Sequence, residues 1–203
     1  MTQTQAGAPR RGRPRSEKAK QAILTAASEL LLDRGLQAMS MDDVAKRAGV
    51  SKATIYRWWG SKELLALDAL AAAWAVPEPA AHRDTGSLRG DLLARLRPWL
   101  RQLNEEPFGG VIASLIAEAQ TDPEFAKLYL EHFVHPRRDA TRVLLVRAIE
   151  RGEIAPDIDL EVALDLVYGP VYHRLLHQHA PLTDRFLQEV VDLVIKALAP
   201  RDA

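Results

Sequence analysis

The sequence predicts an all-α protein divided into a basic N-terminal part and an acidic C-terminal part. Apolar residues recur at helical spacing, Gly, Ser and Asp stand where helices would stop and start, and no convincing alternating strand pattern occurs. Charge supplies the third observation. The 203 residues hold 27 Lys and Arg against 27 Asp and Glu, yet residues 1–65 carry 12 of the bases and 6 of the acids. Residues 66–203 carry the other 15 and 21, so a balance of +6 is followed by one of −6. Affinity for phosphate depends on local charge, so a net charge of zero does not exclude a nucleic acid. The first third is where one would dock.

Residues 1–15 lack apolar periodicity and are rich in Arg, Pro, Gly and Gln, which predicts a disordered basic arm. Arg11 and Arg13, spaced by Gly12, suit an extended arm that enters a DNA minor groove. A helix begins at Ser16, with Ile23, Ala27, Leu30 and Leu31 on one face and Gly35 as its stop. Ser40 caps a short second helix. Asp42 and Asp43 occupy its first turn, where the helix dipole favours them; Val44, Ala45 and Ala48 face inward, and Gly49 ends it. Ser51 caps a third helix, Lys52 to about Trp58. Gly60 closes that one, and Ser61 caps a fourth running to about Val76.

Two short helices joined by a turn at Gly49 form a helix-turn-helix pattern. Ile55 has the spacing to pack inward, which turns Lys52, Ala53, Thr54, Tyr56 and Arg57 outward. Ala53 is small enough for close approach to a groove. Thr54 suits a phosphate or a thymine methyl, and Lys52 and Arg57 reach guanine edges.

Pro77, Pro79 and the polar stretch to Gly86 predict a break before the acidic region. Helices are predicted beyond it at about 87–104, 108–120, 122–151 (kinked or split at Pro136), 159–179 and 182–198. Asp122-Pro123 has the N-cap and first-turn proline of a helix start. Arg151-Gly152 reads as a stop, and Asp159 as the next cap. One apolar face holds Leu160, Ala163, Leu164, Val167 and Val171, widened by Leu166, Leu175 and Leu176. Another holds Phe186, Leu187, Val190, Val191, Val194 and Leu198. Such width predicts burial on more than one side. Because a helix-turn-helix reader needs two half-sites, it predicts a homodimer through the helices near 159–179 and 182–198.

Several classes are excluded. With no cysteine there is no disulfide framework, Cys-based zinc site, iron–sulfur cluster or thiol nucleophile. No apolar run of 18 residues supports a transmembrane helix, and six Lys and Arg among the first 20 residues argue against a secretory signal. A cytoplasmic protein with no membrane partner is expected. His173 and His177 are i, i+4, and His132 and His135 are i, i+3, but no HExxH frames them and no metal is expected. No motif frames a catalytic set, so an enzyme is not expected either.

From Ala22 to Leu70 the chain resembles the DNA-binding domain of the TetR (tetracycline-repressor-like) family of bacterial transcriptional regulators. The resemblance lies in the run from Ser40-Met41-Asp42-Asp43-Val44-Ala45 through Ser51-Lys52-Ala53-Thr54-Ile55-Tyr56-Arg57-Trp58-Trp59 to Gly60-Ser61-Lys62-Glu63-Leu64-Leu65. It implies a three-helix reading domain over residues 16–65 and an all-α effector-binding and dimerisation domain over 66–203. Carried over by position, it puts Ser51, Lys52, Ala53, Thr54, Tyr56, Arg57 and Trp58 at or near double-stranded operator DNA. Ser40 and Met41 come near its backbone, and Lys62 stands where a helix N-terminus suits a phosphate. Members often carry Tyr or His in place of Trp58 and Phe in place of Trp59, and Trp59 is assigned to the core. Arg151–Asp159 and Tyr168–Leu176 resemble one branch of the family. The connector is assigned a structural role, with Glu153 not catalytic. The resemblance further implies a small, mostly apolar effector and no cofactor. Residues that would line its pocket are Trp74, Trp99, Phe108, Ile112, Leu115, Phe125, Tyr129, Phe133 and Tyr168, although each taken singly reads better as plain core.

Overall fold

The computed structural model describes residues 17–73, 84–105 and 107–200, and these are helical with no strand. Helix α1, Glu17–Ala38, buries Ile23, Ala27, Leu30 and Leu31 as its spacing requires. Gly35 breaks it without ending it. Its backbone turns to φ 75°, ψ 171°, and the chain resumes one more helical turn. Helix α2, Met41–Ala48, opens on Ser40, whose Oγ accepts from the Asp43 N–H at 3.1 Å. It closes on Gly49 at φ 66°. Helix α3, Lys52–Tyr56, is capped by Ser51 and stops two residues short of the predicted end, since Arg57 and Trp58 form a turn. Helix α4, Lys62–Ala73, is apolar nearly all round because it meets α1 on one side and the C-terminal part on the other.

The C-terminal part holds α5 (Leu88–Asn104), α6 (Phe108–Thr121), α7 (Pro123–Tyr129), α8 (His135–Glu150), α9 (Leu160–His177) and α10 (Asp184–Leu198). The predicted helix over 122–151 is interrupted earlier than expected. Five residues, Leu130–Val134, form a π turn, and Pro136 sits in the first turn of α8. Pro136 has no N–H to donate and its ring would crowd the His132 carbonyl in a regular helix. The widened turn upstream relieves both problems.

The connector after α8 is structural. Gly152 takes φ 72°, Asp159 caps α9, and Glu153 Oε2 accepts from the Leu88 N–H at 2.7 Å, capping α5 from across the fold. Beside it Asp91 is 2% exposed. It accepts from Thr85 N and Oγ at 2.7 Å each and from Arg151 at 3.0 Å. Burial opposes its charge, but these donors outweigh burial and hold its carboxyl below the usual carboxylate range.

The two apolar faces assigned to a dimer need correction. Ala163, Leu164, Val167, Val171, Leu175, Leu187, Val190, Val191, Val194 and Leu198 are buried within the single chain. Helix α10 spends its apolar face on α5, fastened by the bidentate pairs Arg89–Asp192 and Arg97–Asp184. What α9 leaves in solvent is the edge of its own predicted face, Leu166 and Leu176, in a stripe with Val162, Gly169 and His173 at i, i+4, i+7, i+11 and i+14. On α10, Leu193 is 67% exposed.

Candidate functional site

The candidate DNA-facing surface is a five-residue helix anchored from beneath. Ile55 is wholly buried and Trp59 nearly so, which fixes the rotation of α3. Lys52, Ala53, Tyr56 and Arg57 face solvent as predicted, as does the cap Ser51, whereas Thr54, predicted to point outward, is half-buried. Tyr56 is the large exposed ring, at 50%. The polar groups engage one another: Ser51 Oγ lies 2.8 Å from Thr54 Oγ1, and Arg57 donates to Thr54 Oγ1 at 3.4 Å. Lys52 Nζ donates to Asp42 Oδ2 at 2.9 Å, and this hydrogen bond raises the lysine's pKa.

Three assignments change with the structure. Met41 is 7% exposed, so only its backbone N–H, at the start of α2, is available to a phosphate. Trp58 lies beyond α3 and packs half-buried on the core, 6.1 Å from the Trp59 ring and with Lys20 Nζ 5.2 Å from its centroid. Lys62 is occupied. Its Nζ donates to the carbonyls of Leu36 at 3.2 Å and Gln37 at 3.4 Å, where the break at Gly35 leaves oxygens that a cation satisfies. Arg11, Arg13 and Trp74 lie outside the described residues.

The C-terminal part carries a half-open, largely apolar pocket of about 240 Å³ lined by Val134, Arg137, Arg138, Asp165, Tyr168, Gly169 and Tyr172. Of the residues expected to line a pocket, Tyr168 does so. Trp99 stands behind it, 5.4 Å from Tyr168 and 5.5 Å from Tyr172. Tyr129 stacks on Phe133 at 5.2 Å, and Phe125 on Tyr129 at 6.3 Å. Ile112 and Leu115 are core, and Phe108 is half-buried against it. Leu115 also edges a separate groove between α6 and the break in α1.

Sequence reasoning missed Arg137 and Tyr172. Arg137 lays its guanidinium carbon 3.7 Å from the Phe133 ring centroid and donates to the Phe133 carbonyl at 2.7 Å. Burial lowers its pKa to about 10, which leaves it charged at neutral pH, and pushes the Tyr172 hydroxyl up to about 12. In the sequence, Pro136-Arg137-Arg138 reads as a solvated helix start. Only the i, i+4 relation of Arg137 to Phe133 hints otherwise.

A chain of contacts joins the two regions. Trp59 Nε1 donates to Asp68 Oδ2 on α4 at 2.9 Å, and Asp68 Oδ1 lies 3.3 Å from His132 Nδ1 in the π turn. Two and five residues on, Val134 and Arg137 line the cavity, with Phe133 packed under the Arg137 guanidinium. His132 thus pairs with Asp68. Among the described residues no group of three or more His, Asp or Glu is placed to hold a metal ion, and no helix is long and apolar enough to cross a membrane.

Comparisons with known proteins agree with this geometry. Residues 23–69 match the family model described as bacterial regulatory proteins, tetR family, and residues 82–194 match the one described as tetracyclin repressor-like, C-terminal domain. The HTH-type transcriptional regulator YdeS of Bacillus subtilis (strain 168) is 38% identical over 196 residues, covering 96% of each chain. The DNA-binding transcriptional repressor TetR of Mycobacteroides abscessus is 33% identical, covering 91% of this chain and 95% of that protein. The crystal structure of the TetR family transcription regulator SCO0332 superposes with a TM-score of 0.77 at 38% identity, covering 91% of this chain and all of that one.

Proposed function

The chain belongs to the tetR family of bacterial regulatory proteins and is a helix-turn-helix transcriptional regulator, and on that premise we propose that it is a dimeric repressor released from its operator by a small effector. The observation that carries this reading is the combination of a solvent-facing α3, set by Ile55 and Trp59, with a cavity wired to the same Trp59 through Asp68 and His132. Two copies would pair through the α9 stripe and the exposed side of α10 at Leu193. Each would place α3 in a major groove, reading half-sites about one helical turn apart (roughly 34–36 Å) or somewhat more. Lys52 exchanges Asp42 for DNA, and the hydroxyls of Ser51 and Thr54 exchange each other for phosphate or base edges.

An effector in the cavity displaces Val134 and Arg137 relative to α4. It loosens the repressor only by its differential affinity for the DNA-fitting and non-fitting dimers. The regulator needs neither metal nor catalysis for this.

The direct test is Thr54→Ala with Tyr56→Ala, titrated by gel shift against an operator selected from random duplexes. The variant should remain a folded dimer and lose about 100-fold in specific affinity, at 1–3 kcal/mol for each base contact. Undiminished specific binding would refute the assignment of α3 as the reader.

A further inference from the structure

Five of the side chains lining the half-open pocket are polar, and four of them are hydrogen-bonded within the chain. Arg138 donates to Asp165 at 2.5 Å and to Glu161 at 2.7 Å, so the carboxylate of the lining is taken up. Arg137 donates to the Phe133 carbonyl at 2.7 Å. The Tyr168 hydroxyl is used on both sides. It donates to the Arg137 carbonyl at 3.2 Å, which leaves Thr141 Oγ1, 2.7 Å away, to donate to it. Behind the wall Arg95, 8% exposed on α5, fixes Thr141 by donating to its Oγ1 at 2.7 Å. Tyr168 has its ring left to offer a ligand, since its one proton is committed. Tyr172 is the exception. The buried side-chain atoms without a hydrogen-bond partner are Trp99 Nε1 and Arg147 Nη1 among the described residues, and the Tyr172 hydroxyl is not one of them. It makes no hydrogen bond there, yet it is not sealed in the core, and its residue lines the pocket. Its ring is held 5.5 Å from that of Trp99, and burial keeps the phenol protonated, with a pKa of about 12. It is a positioned, neutral donor. Around it the wall is apolar at Val134 and open at Gly169, where a Cβ would meet nothing within 4 Å.

We propose that Tyr172 selects the effector by donating its hydroxyl proton to a carbonyl oxygen on a small neutral ligand, whose apolar body lies against Val134, Gly169 and the Tyr168 ring. A phenol donates better than it accepts, because its lone pair is shared with the ring, so its complement is an acceptor that brings no N–H or O–H of its own. A charged ligand would give up its water for a lining whose Arg138 and Asp165 already hold each other, and one hydroxyl does not repay that loss. The proposal rests on the pocket being the effector site and adds the chemistry that the site recognises.

The test is a double-mutant cycle on the full chain. Two neutral bicyclic probes, 1-tetralone and tetralin, which has CH2 where the ketone has C=O, are titrated against the parent and Tyr172→Phe by ligand-observed NMR. Removing the hydroxyl should weaken tetralone by about 3- to 10-fold, the range of one net neutral hydrogen bond, and leave tetralin within about twofold. Because each probe is compared between two proteins, the greater hydrophobicity of tetralin cancels. No binding of tetralone to the parent, or a loss for tetralone no greater than that for tetralin, would overturn the proposal. Should Tyr172→Phe fail to fold by circular dichroism, the carbonyl stretch of tetralone bound to the parent decides. A stretch at lower wavenumber than in hexane upholds the bond, and a hexane-like one refutes it. Operator titrations separate this idea from the effector reading. Tyr172-dependent binding of tetralone with no change in operator affinity upholds the ketone site and sinks the effector reading. Release of the operator by tetralone to the same extent from the parent and from Tyr172→Phe does the reverse.

Discussion

Asp68 is the position where a single change should separate stability from communication. Its Oδ2 accepts from Trp59 Nε1 at 2.9 Å, and Trp59 is 2% exposed, so Asp68→Ala leaves a buried indole N–H with no acceptor. That should cost about 1–3 kcal/mol of stability in the reading domain. The other half of the contact, Oδ1 to His132 Nδ1 at 3.3 Å, joins side chains 38% and 36% exposed. Solvent screens such a pair, and His132→Ala should cost no more than about 0.5–1 kcal/mol. Asp68→Asn keeps an acceptor for Trp59 and should lie between them. Urea melts followed by tryptophan fluorescence give the stabilities, and operator titrations with and without effector give the coupling. His132→Ala should fold and bind operator normally yet show a several-fold smaller effector response. If Asp68→Ala is as stable as the parent, or His132→Ala responds in full, the contact between π turn and α4 is not the route.

Leu166→Glu with Leu176→Glu places acids on the exposed stripe of α9, where these leucines are 42% and 45% exposed. With about 1 kcal/mol still to gain from each leucine, four per dimer, the dimer should weaken by about 1,000-fold. Analytical ultracentrifugation should then find monomers, and a dimer of unchanged affinity would show that the copies pair elsewhere. Asp91→Asn should destabilise the C-terminal part by about 1–3 kcal/mol at pH 7, because its donors lose a charged acceptor. The folded pKa of Asp91 is depressed, so its contribution is present above the unfolded value near 3.9 and is lost as pH falls through the folded one. Parent and variant melting temperatures should therefore converge in acid. A gap that persists below pH 3 would place the effect in shape rather than charge.

The helix-turn-helix fold was legible because short-range rules specify it. Ser40, Gly49, Ser51 and Ser61 are caps and stops that act on their own neighbours, and Ile55 is buried by spacing alone. The hold of Lys62 on the carbonyls of Leu36 and Gln37 was not legible, because those oxygens are free only where α1 breaks and a sequence shows Gly35 as a stop. The faces of α9 and α10 were seen as apolar, but their destination was not. Whether Val190 and Val194 meet α5 or a second copy depends on the docking of α10, which Arg89 and Arg97 decide from about a hundred residues away. Arg95 and Arg137 were invisible for a related reason. Spacing marks a charged residue on an apolar face as an anomaly only when the face itself is known, and Pro136 with the π turn rotates α8 away from the register a continuous helix would have.

That rotation matters for regulation. A tenfold change in operator affinity requires the effector to discriminate the two dimer states by about 1.4 kcal/mol. This is the size of one hydrogen bond, so no large rearrangement is needed; one contact that exists in only one state suffices. The π turn is suited to supply it. It stores a local departure from regular helix, its N-terminal side holds His132 against Asp68, and its C-terminal side leads to the cavity at Val134 and Arg137. A ligand that pulls Arg137 even slightly from the Phe133 carbonyl changes the turn, and the turn has a single polar hold on α4 among the described residues. The acidic part can thus govern a basic reading head with which it shares no ligand, through a contact no stronger than the discrimination the task demands.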